Sequence, residues 1–376
     1  MNTAGGRVLL GLVVLVVLTG SGAWAGRFSD VLGMELETDL QGVRVFKVDG
    51  EAKLLGLQVG DRIERLGGRK VTEGWDFMAR IDGLGPELPL TVRRGEKTFE
   101  LTLERPRLAG KLVFVSDRSG PWELWRMDAD GSRVHQLTRR GLQPQGAVWS
   151  PDGKQIAFEW MTPYWDIWLM DENGHNLRRL TSFPDAETRP RWSPDGQFLY
   201  FISYQWGGTA IGRVSLATGE QQKVVQMADK PSWAPWRYST YDLSPDGTTL
   251  AFPRETSGAW RLHFANPDGS NVRPAPQPGT QQVGLDWSPD GKRLLWADGS
   301  AYHVWDLERE QVSGFSLQPD GWAAFAPDGR SVVYEHRPSD NEKTDLYVVD
   351  LHGRPLHRLT YHPANDRWAD WWAPKQ

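Results

Sequence analysis

Histidines are the side chains through which this sequence could do metal or acid–base chemistry. None of the eight has the spacing that two metal ligands take on one helix. Three of them, His352, His357 and His362, are close in sequence, but they fall on a predicted turn, a strand and the loop that follows. We therefore interpret these three as solvated loop histidines. The other five are His135, His175, His263, His303 and His336.

Asp-rich turns offer a second possibility, a calcium loop. Asp128-x-Asp130-Gly131 has the first ligands of such a loop, but its twelfth position is Arg139, where a calcium loop has Glu. The segments 171–174 and 266–269 have a similar composition, and all three are typical of hairpin turns. We predict no metal ion and no other cofactor.

The common catalytic motifs are absent from the sequence. It contains no G-x-S-x-G, H-E-x-x-H, P-loop or G-x-G-x-x-G pattern. It also contains no cysteine, which excludes disulfides, thiol catalysis and cysteine-ligated zinc. The formal net charge of -5 argues against a nucleic-acid binder that depends on phosphate contacts.

A short phrase, Trp-Ser-Pro-Asp-Gly or a variant of it, recurs from residue 149 onward. Pro presets the backbone of a tight turn, Asp bonds to nearby N–H groups, and Gly takes the left-handed corner. Short strands that repeat about every 40–50 residues are typical of a β-propeller. The copies start at Trp149, Trp192, Leu243, Trp287 and Phe325, with a worn last copy at Trp372.

The repeats predict a six-bladed propeller over residues 110–376. Five blades start near the first five copies. The sixth is expected to be split, with its three later strands in residues 111–138 and its first strand at about Asp366 to Trp372. Such sharing would close the ring and remove an open sheet edge.

The phrases FVSDRSGPWELWRMDADGSRVHQLT and RPRWSPDGQFLYF resemble the propellers of the TolB type. That family is bacterial and largely periplasmic. TolB itself carries a different N-terminal domain, so the resemblance covers the propeller and implies no role in the Tol-Pal system. PDZ and TolB-like modules occur together in tricorn-type proteases, but no residues remain here for the catalytic domain of those enzymes.

Residues 1–25 have the pattern of a cleaved secretory signal. Arg7 supplies a positive charge, residues 8–18 are apolar except for Gly11, and Ala23 and Ala25 are small residues where a signal peptidase reads the chain. We expect cleavage after Ala25, a periplasmic or secreted mature chain, and membrane contact only through the signal. The alternative is an uncleaved anchor, although the apolar run is shorter than the roughly 20 residues that a span needs.

Residues 27–107 predict a small α/β module. Strands are expected at 33–37 and 43–48, and a short helix at 52–55. A second helix at about 73–81 would be capped by Thr72, and a hairpin would join 88–93 to 98–103. With Gly-Leu-Gln-Val-Gly-Asp-Arg-Ile at 56–63, this order resembles a PDZ domain, particularly the bacterial modules attached to secreted proteases.

The resemblance implies that a partner's C-terminal tail binds as an added β-strand. Backbone N–H groups of Leu32, Gly33 and Met34 would hold the terminal carboxylate. The last side chain would be apolar, because it would enter a pocket lined by Leu32, Met34, Leu36, Met78 and Ile81. The alternative is a PDZ fold that only packs against the propeller.

Two positions depart from the PDZ pattern. Val31 replaces the first glycine of the carboxylate loop, and Gly74 stands where a histidine would select Ser or Thr in the tail. No preference at that tail position is therefore implied.

Aromatic side chains outside the repeated phrase could form a further interaction surface. Trp233 and Trp236 are the strongest candidates because they lie in the longest interval between two copies of the phrase. Packing between blades is the alternative interpretation.

Together these patterns predict a mainly β protein, a six-bladed β-propeller preceded by a small α/β PDZ-like domain. The favoured function is secreted, non-catalytic binding of protein or peptide C-terminal tails. One alternative is a lyase or hydrolase with its site in the propeller channel, which channel-facing His, Arg and acidic residues with perturbed pKa values would favour. A purely structural scaffold is the other, and a groove already filled by the protein's own chain would favour it.

Overall fold

The computed structural model describes residues 27–31, 34–39, 41–141, 143–229, 240–276, 283–298, 301–315, 322–337 and 343–374. The chain divides into two compact units. Unit 1 contains the residues up to Pro106 together with the short segments Arg337–Thr344 and Tyr361–Pro363, and unit 2 contains the rest. Neither described helix is long and apolar enough to cross a membrane.

The described part of unit 1 contains two helices and one seven-stranded sheet. The helices are α1 (Gly50–Leu54) and α2 (Gly74–Ile81). The sheet order is β1-β2-β3-β4-β6-β7, and β5 pairs with β4. The strands are β1 (Arg27–Val31), β2 (Met34–Asp39), β3 (Gly42–Val48), β4 (Arg62–Leu66), β5 (Arg69–Lys70), β6 (Glu87–Arg94) and β7 (Lys97–Glu104).

The start of α2 differs from the sequence prediction. Thr72 was predicted as the cap, but the helix begins at Gly74 after Glu73, which makes no side-chain capping bond. The Gly74 N–H instead donates to the Thr38 hydroxyl at 2.8 Å. A residue of β2 therefore satisfies one of the free donors at this helix end, and local sequence could not reveal it.

The described ranges of unit 2 form six four-stranded antiparallel sheets. The first three strands are β8 (Lys111–Ser116), β9 (Glu123–Asp128) and β10 (His135–Gln136). Sheet 1 contains β11 (Gln145–Trp149), β12 (Gln155–Met161), β13 (Trp165–Asp171) and β14 (Arg178–Arg179). Sheet 2 contains β15 (Glu187–Trp192), β16 (Phe198–Ser203), β17 (Thr209–Ser215) and β18 (Gln221–Ala228).

Three more sheets follow along the chain. Sheet 3 contains β19 (Asp242–Leu243), β20 (Leu250–Thr256), β21 (Ala259–Ala265) and β22 (Arg273–Pro274). Sheet 4 contains β23 (Val283–Trp287), β24 (Arg293–Ala297), β25 (Tyr302–Asp306) and β26 (Gln311–Phe315). Sheet 5 contains β27 (Ala323–Phe325), β28 (Ser331–His336), β29 (Asp345–Asp350) and β30 (Pro355–Arg358).

The last strand, β31 (Asp366–Trp372), pairs with β8 and completes what we call the split sheet, in the order β10-β9-β8-β31. This is the strand sharing that the sequence predicts. A buried ion pair supports it, because the Arg118 guanidinium donates to the Asp366 carboxylate at 2.7 Å. Strands far apart in sequence are thereby joined into one sheet.

The repeated phrase forms the turn between the first and second strands of its sheet. In sheet 1 the Gly153 N–H donates to the Ser150 carbonyl at 2.8 Å. The Ser150 hydroxyl donates to Asp152 at 2.7 Å, and this bond holds the pKa of the Asp152 carboxyl below its usual value. The phrase therefore stabilises a turn.

Strand pairing shows that the incomplete last copy of the phrase starts at Trp371, one residue before the predicted start. In sheet 1, Trp149 lies opposite Ile156. The residue opposite the equivalent Leu112 of the split sheet is Trp371, not the predicted Trp372. Asp370 therefore occupies the position just before the aromatic residue, as Asp286 does in sheet 4.

Apolar clusters join the sheets of unit 2 in pairs. Among the described residues one cluster contains side chains of the split sheet and sheet 1, another those of sheets 1 and 2, and so on to sheet 5 and the split sheet. The sheets thus pack face to face, and their stability depends on burial between neighbours.

Candidate functional site

The groove predicted in unit 1 has a strand in it. Strand β1 pairs antiparallel with β2, with Arg27 opposite Glu37, Phe28 opposite Leu36 and Val31 opposite Met34. Helix α2 contacts both β1 and β2. The edge of β2 that was expected to receive a partner's tail is therefore occupied by the protein's own chain, and the sequence prediction did not include β1.

The structure brings the described members of the predicted pocket together. Met34, Leu36, Met78 and Ile81 lie in one apolar cluster, and none of them is more than 5% exposed. They are part of the core of unit 1 and, with β1 in place, line no open pocket. Of the remaining predicted site residues, Leu32, Gly33, Trp233 and Trp236 lie outside the described residues.

In unit 2, three carboxylates occupy equivalent positions on the first strands of their sheets. Each accepts a backbone N–H from the first strand of the next sheet. Asp370 accepts from Trp149 at 2.8 Å, and Asp242 accepts from Trp287 at 2.8 Å. Asp286 accepts from Phe325 at 2.7 Å. These side chains join the first strands of neighbouring sheets.

Arg191 occupies the same strand position in sheet 2. Its positive charge balances part of the negative charge of the three aspartates. Its Nε lies 3.6 Å from Asp242 Oδ1. Burial raises the pKa of the Asp242 carboxyl to about 6, against the opposing effect of Arg191. Burial also raises the pKa of Asp286 well above its ordinary value, and that of Asp370 to a smaller degree. We call Arg191, Asp242, Asp286 and Asp370 the aspartate cluster.

Two buried glutamates each accept a backbone N–H from a bulge in the first strand of the next sheet. The Glu159 carboxylate accepts the N–H of Arg189 at 2.9 Å, and the Glu335 carboxylate accepts that of Trp368 at 2.7 Å. Arg189 and Trp368 have φ of 57° and 52°, in the left-handed region that L-residues seldom adopt. Gly146 occupies the same bulge position in sheet 1. These carboxylates therefore hold non-glycine residues in a strained backbone conformation.

A cavity of about 20 Å³ lies among these side chains. Such a volume holds about one water molecule and no organic substrate. The residues that line it are Gly146, Ala147, Val148, Glu159, Arg189, Arg191, Thr240, Trp322 and Trp368. Arginine and acidic side chains with perturbed pKa values are present, as a catalytic site would require, but the carboxylates already accept backbone N–H groups.

Within the ranges that the structure describes, no group of three or more His, Cys, Asp or Glu side chains could hold a metal ion. The Asp128 segment forms the expected hairpin turn, in which the Gly131 N–H donates to the Asp128 carbonyl at 2.9 Å.

No protein-family model matches the chain. Among curated proteins, the Tol-Pal system protein TolB of Geobacter metallireducens is 39% identical over 93 residues, which are 23% of this chain and 21% of that protein. A protein TolB homolog of Chlorobium chlorochromatii is 25% identical over 204 residues, 54% of this chain and 34% of that protein. The chain thus spans no more than about a third of the length of these relatives.

Solved structures show the same fold. The crystal structure of TolB from Acinetobacter baumannii matches with a TM-score of 0.60 at 20% identity, over 77% of this chain and 79% of that one. A chain of a nidogen/laminin complex matches with a TM-score of 0.56 at 10% identity, over 69% and 97% of the two chains. The protein is mainly β and contains a TolB-like β-propeller.

Proposed function

We propose that this protein is a non-catalytic protein-binding protein of the bacterial periplasm, built from a PDZ-like unit and a six-bladed TolB-like propeller. The similarity to TolB and the predicted signal over residues 1–25 support this location. Six sheets joined in pairs by apolar clusters support the blade count. The proposal does not extend to the Tol-Pal system, because the chain spans only part of its TolB relatives.

The pairing of β1 with the edge of β2 beside α2 is the arrangement that the scaffold alternative expects, and the binding proposal rests on the same pairing, interpreted as a strand site that β1 can leave. This edge accepts an antiparallel strand, and addition of a strand is how PDZ domains take a tail. In our proposal β1 is a resident strand that a partner's C-terminal segment replaces. The backbone N–H groups of Leu32, Gly33 and Met34 then hold the terminal carboxylate.

The buried apolar residues of unit 1 determine which side chain is preferred at the end of the partner's tail. We expect the departure of β1 to make their side chains accessible to the last residue of the tail. A Leu or Val there would contact only apolar groups, whereas a charged residue would lose its hydration without compensation. The residues are Met34, Leu36, Met78 and Ile81.

The aspartate cluster supports binding over catalysis. A general acid or base must reach a substrate, but each of these carboxylates accepts a backbone N–H at 2.7 or 2.8 Å. The neighbouring cavity has room for about one water. In our proposal the aspartate cluster holds neighbouring sheets together.

Fluorescence anisotropy on the full chain tests the proposal. Labelled ten-residue peptides ending in Leu are compared in two forms, with a free and with an amidated C-terminus. We expect saturable binding only with the free carboxylate. Phe28→Pro should tighten it several-fold, because proline removes a backbone N–H and disfavours β1.

Absence of binding across a varied set of free-carboxylate peptides, in both the native chain and Phe28→Pro, would overturn the tail-binding proposal. The strand β1 would then be a permanent part of the sheet and unit 1 a structural scaffold. Equal binding of free and amidated peptides would overturn the role of the carboxylate loop.

A further inference from the structure

A second cavity lies in unit 2, away from the aspartate cluster. Its volume is about 290 Å³, at the small end of the range for small-molecule sites. It lies between the segment that follows β10 and sheet 1, which contributes residues of its middle strands β12 and β13 and of the turn that leads to β14. The residues that line it are Leu137, Thr138, Arg139, Arg140, Trp160, Met170, Gly174, Asn176 and Leu177.

The charged groups of this cavity are all positive. Arg139 and Arg140 are exposed, and neither has an ion pair with an acidic side chain among the described residues. The Arg140 guanidinium lies 5.9 Å from the centre of the Trp160 ring, close enough for a cation–π contact. No Asp or Glu lines the cavity. Such a surface attracts an anion.

Trp160, one of the residues that line the cavity, has an unused hydrogen-bond donor. Trp160 is 1% exposed, and its Nε1–H has no partner in the described part of the chain. A buried donor without a partner costs free energy, and a ligand acceptor would remove that cost. Leu137, Met170 and Leu177 supply an apolar wall beside it.

The two arginines are not required by the fold, as the repeats show. The Thr138 hydroxyl accepts the N–H of Leu124 at 2.9 Å. Thr181 and Thr360 make the equivalent bonds in sheets 1 and 5 at 2.9 and 3.0 Å. After these two threonines the chain continues with Ser182-Phe183 and with Tyr361-His362. The arginine pair is thus particular to one of three equivalent positions.

We propose that this cavity binds an organic carboxylate with a small apolar group. The carboxylate would bond to the guanidinium groups of Arg139 and Arg140, with Trp160 Nε1–H as a further donor. The apolar group would lie against the leucine and methionine side chains. The source of the ligand is either a free small acid or the C-terminal residue of a peptide.

Ligand-observed NMR titration of the full chain tests the site with N-acetyl-leucine as the probe. N-acetyl-leucinamide and inorganic phosphate serve as comparisons, and the peptide Ala-Ala-Ala-Ala-Leu separates the two sources. We expect the free acid to bind and the amide to bind at least about tenfold more weakly, because charge-assisted hydrogen bonds are the strong ones.

Arg139→Gln combined with Arg140→Gln should weaken binding of N-acetyl-leucine at least about tenfold. The matched control combines Arg178→Gln with Arg330→Gln, two exposed arginines that do not line the cavity and whose loss changes the charge equally. Trp160→Phe keeps an aromatic ring but removes Nε1–H and part of the indole surface, so a several-fold loss is expected. Circular dichroism melts confirm that each variant is folded, and the two single arginine variants replace the double one if it is not.

Three results would overturn the proposal. They are no binding of N-acetyl-leucine, binding that the double arginine variant leaves unchanged, and phosphate that binds as tightly as the acid. A peptide that competes with N-acetyl-leucine would identify chain termini as the source. The site is independent of unit 1, so Phe28→Pro should not alter it, and the two binding proposals can fail separately.

Discussion

The Asp370 carboxylate accepts the backbone N–H of Trp149 at 2.8 Å, although the two residues are 221 positions apart in the chain. The bond joins the last strand of the split sheet to the first strand of sheet 1. Trp149 is buried and Asp370 is partly buried, so the Trp149 N–H depends on this acceptor. The same bond recurs where sheet 3 meets sheet 4 and where sheet 4 meets sheet 5.

Asp370→Ala should therefore lower the free energy of unfolding by about 1–3 kcal/mol, the cost of a buried donor left without an acceptor. Urea unfolding followed by circular dichroism measures this. Asp185→Ala is the control, because Asp185 is exposed. An unfolding midpoint for Asp370→Ala equal to that of the control would show that the bond contributes nothing.

The stability of the protein should fall as pH rises from about 5 to 8. Burial raises the pKa of Glu335 from 4.5 to about 7, and that of Glu187 to about 7 as well. Between these two pKa values the folded chain binds more protons than the unfolded chain. The stabilisation that these glutamates contribute is therefore complete below pH 4.5 and is lost as pH rises through 7.

Glu335→Gln should flatten that pH dependence. The amide oxygen can still accept the Trp368 N–H, but no buried charge forms above pH 7. The difference in free energy of unfolding between pH 5 and 8 should decrease by at most about 3 kcal/mol. Glu220→Gln, at an exposed turn, should leave it unchanged. An unaltered pH profile for Glu335→Gln would contradict the assignment.

Alanine at Gly146 should destabilise the fold more than alanine at Gly284. The two glycines occupy the same bulge position, with φ of 52° and 66°. A Cβ at Gly146 would overlap the Glu159 carboxylate, whereas one at Gly284 meets nothing within 4 Å. Both variants have the backbone strain of a left-handed residue, and Gly146→Ala adds an overpacking cost of about 1–3 kcal/mol. Equal unfolding midpoints would refute this account of the site.

Ala25→Leu should block processing of the predicted signal, because signal peptidases require a small residue before the cut. Intact-mass analysis of the protein from bacterial membranes and periplasm measures the outcome. The native chain should start at Gly26, and the variant should retain residues 1–25 and stay with the membrane fraction. A native chain of full mass would favour the uncleaved anchor.

Local signals were sufficient for several turns and strands of unit 2. The Ser-Pro-Asp-Gly turns depend on residues two or three positions apart, and β29 has the predicted bounds Asp345–Asp350. The TolB resemblance, which rests on such local phrases, is confirmed. The PDZ resemblance of unit 1 and its tail specificity stay predictions.

The features that the sequence analysis missed depend on contacts between distant residues. Strand β1 exists through its pairing with β2, and the cap of α2 comes from Thr38. The aspartate cluster did leave a signal, because Asp242 and Asp286 each stand just before the repeated phrase. The last copy hides this signal when it is taken to start at Trp372, because Asp370 then stands two residues before it.

The split sheet has a consequence for how the chain folds during synthesis. Strand β8 leaves the ribosome long before its partner β31, since Ser116 of β8 pairs with Asp366 near the end of the chain. Until residues 366–372 emerge, the edge of β8 is an open template for other strands, which is a hazard for aggregation. The split sheet is therefore complete only after all of residues 111–372 have been synthesised.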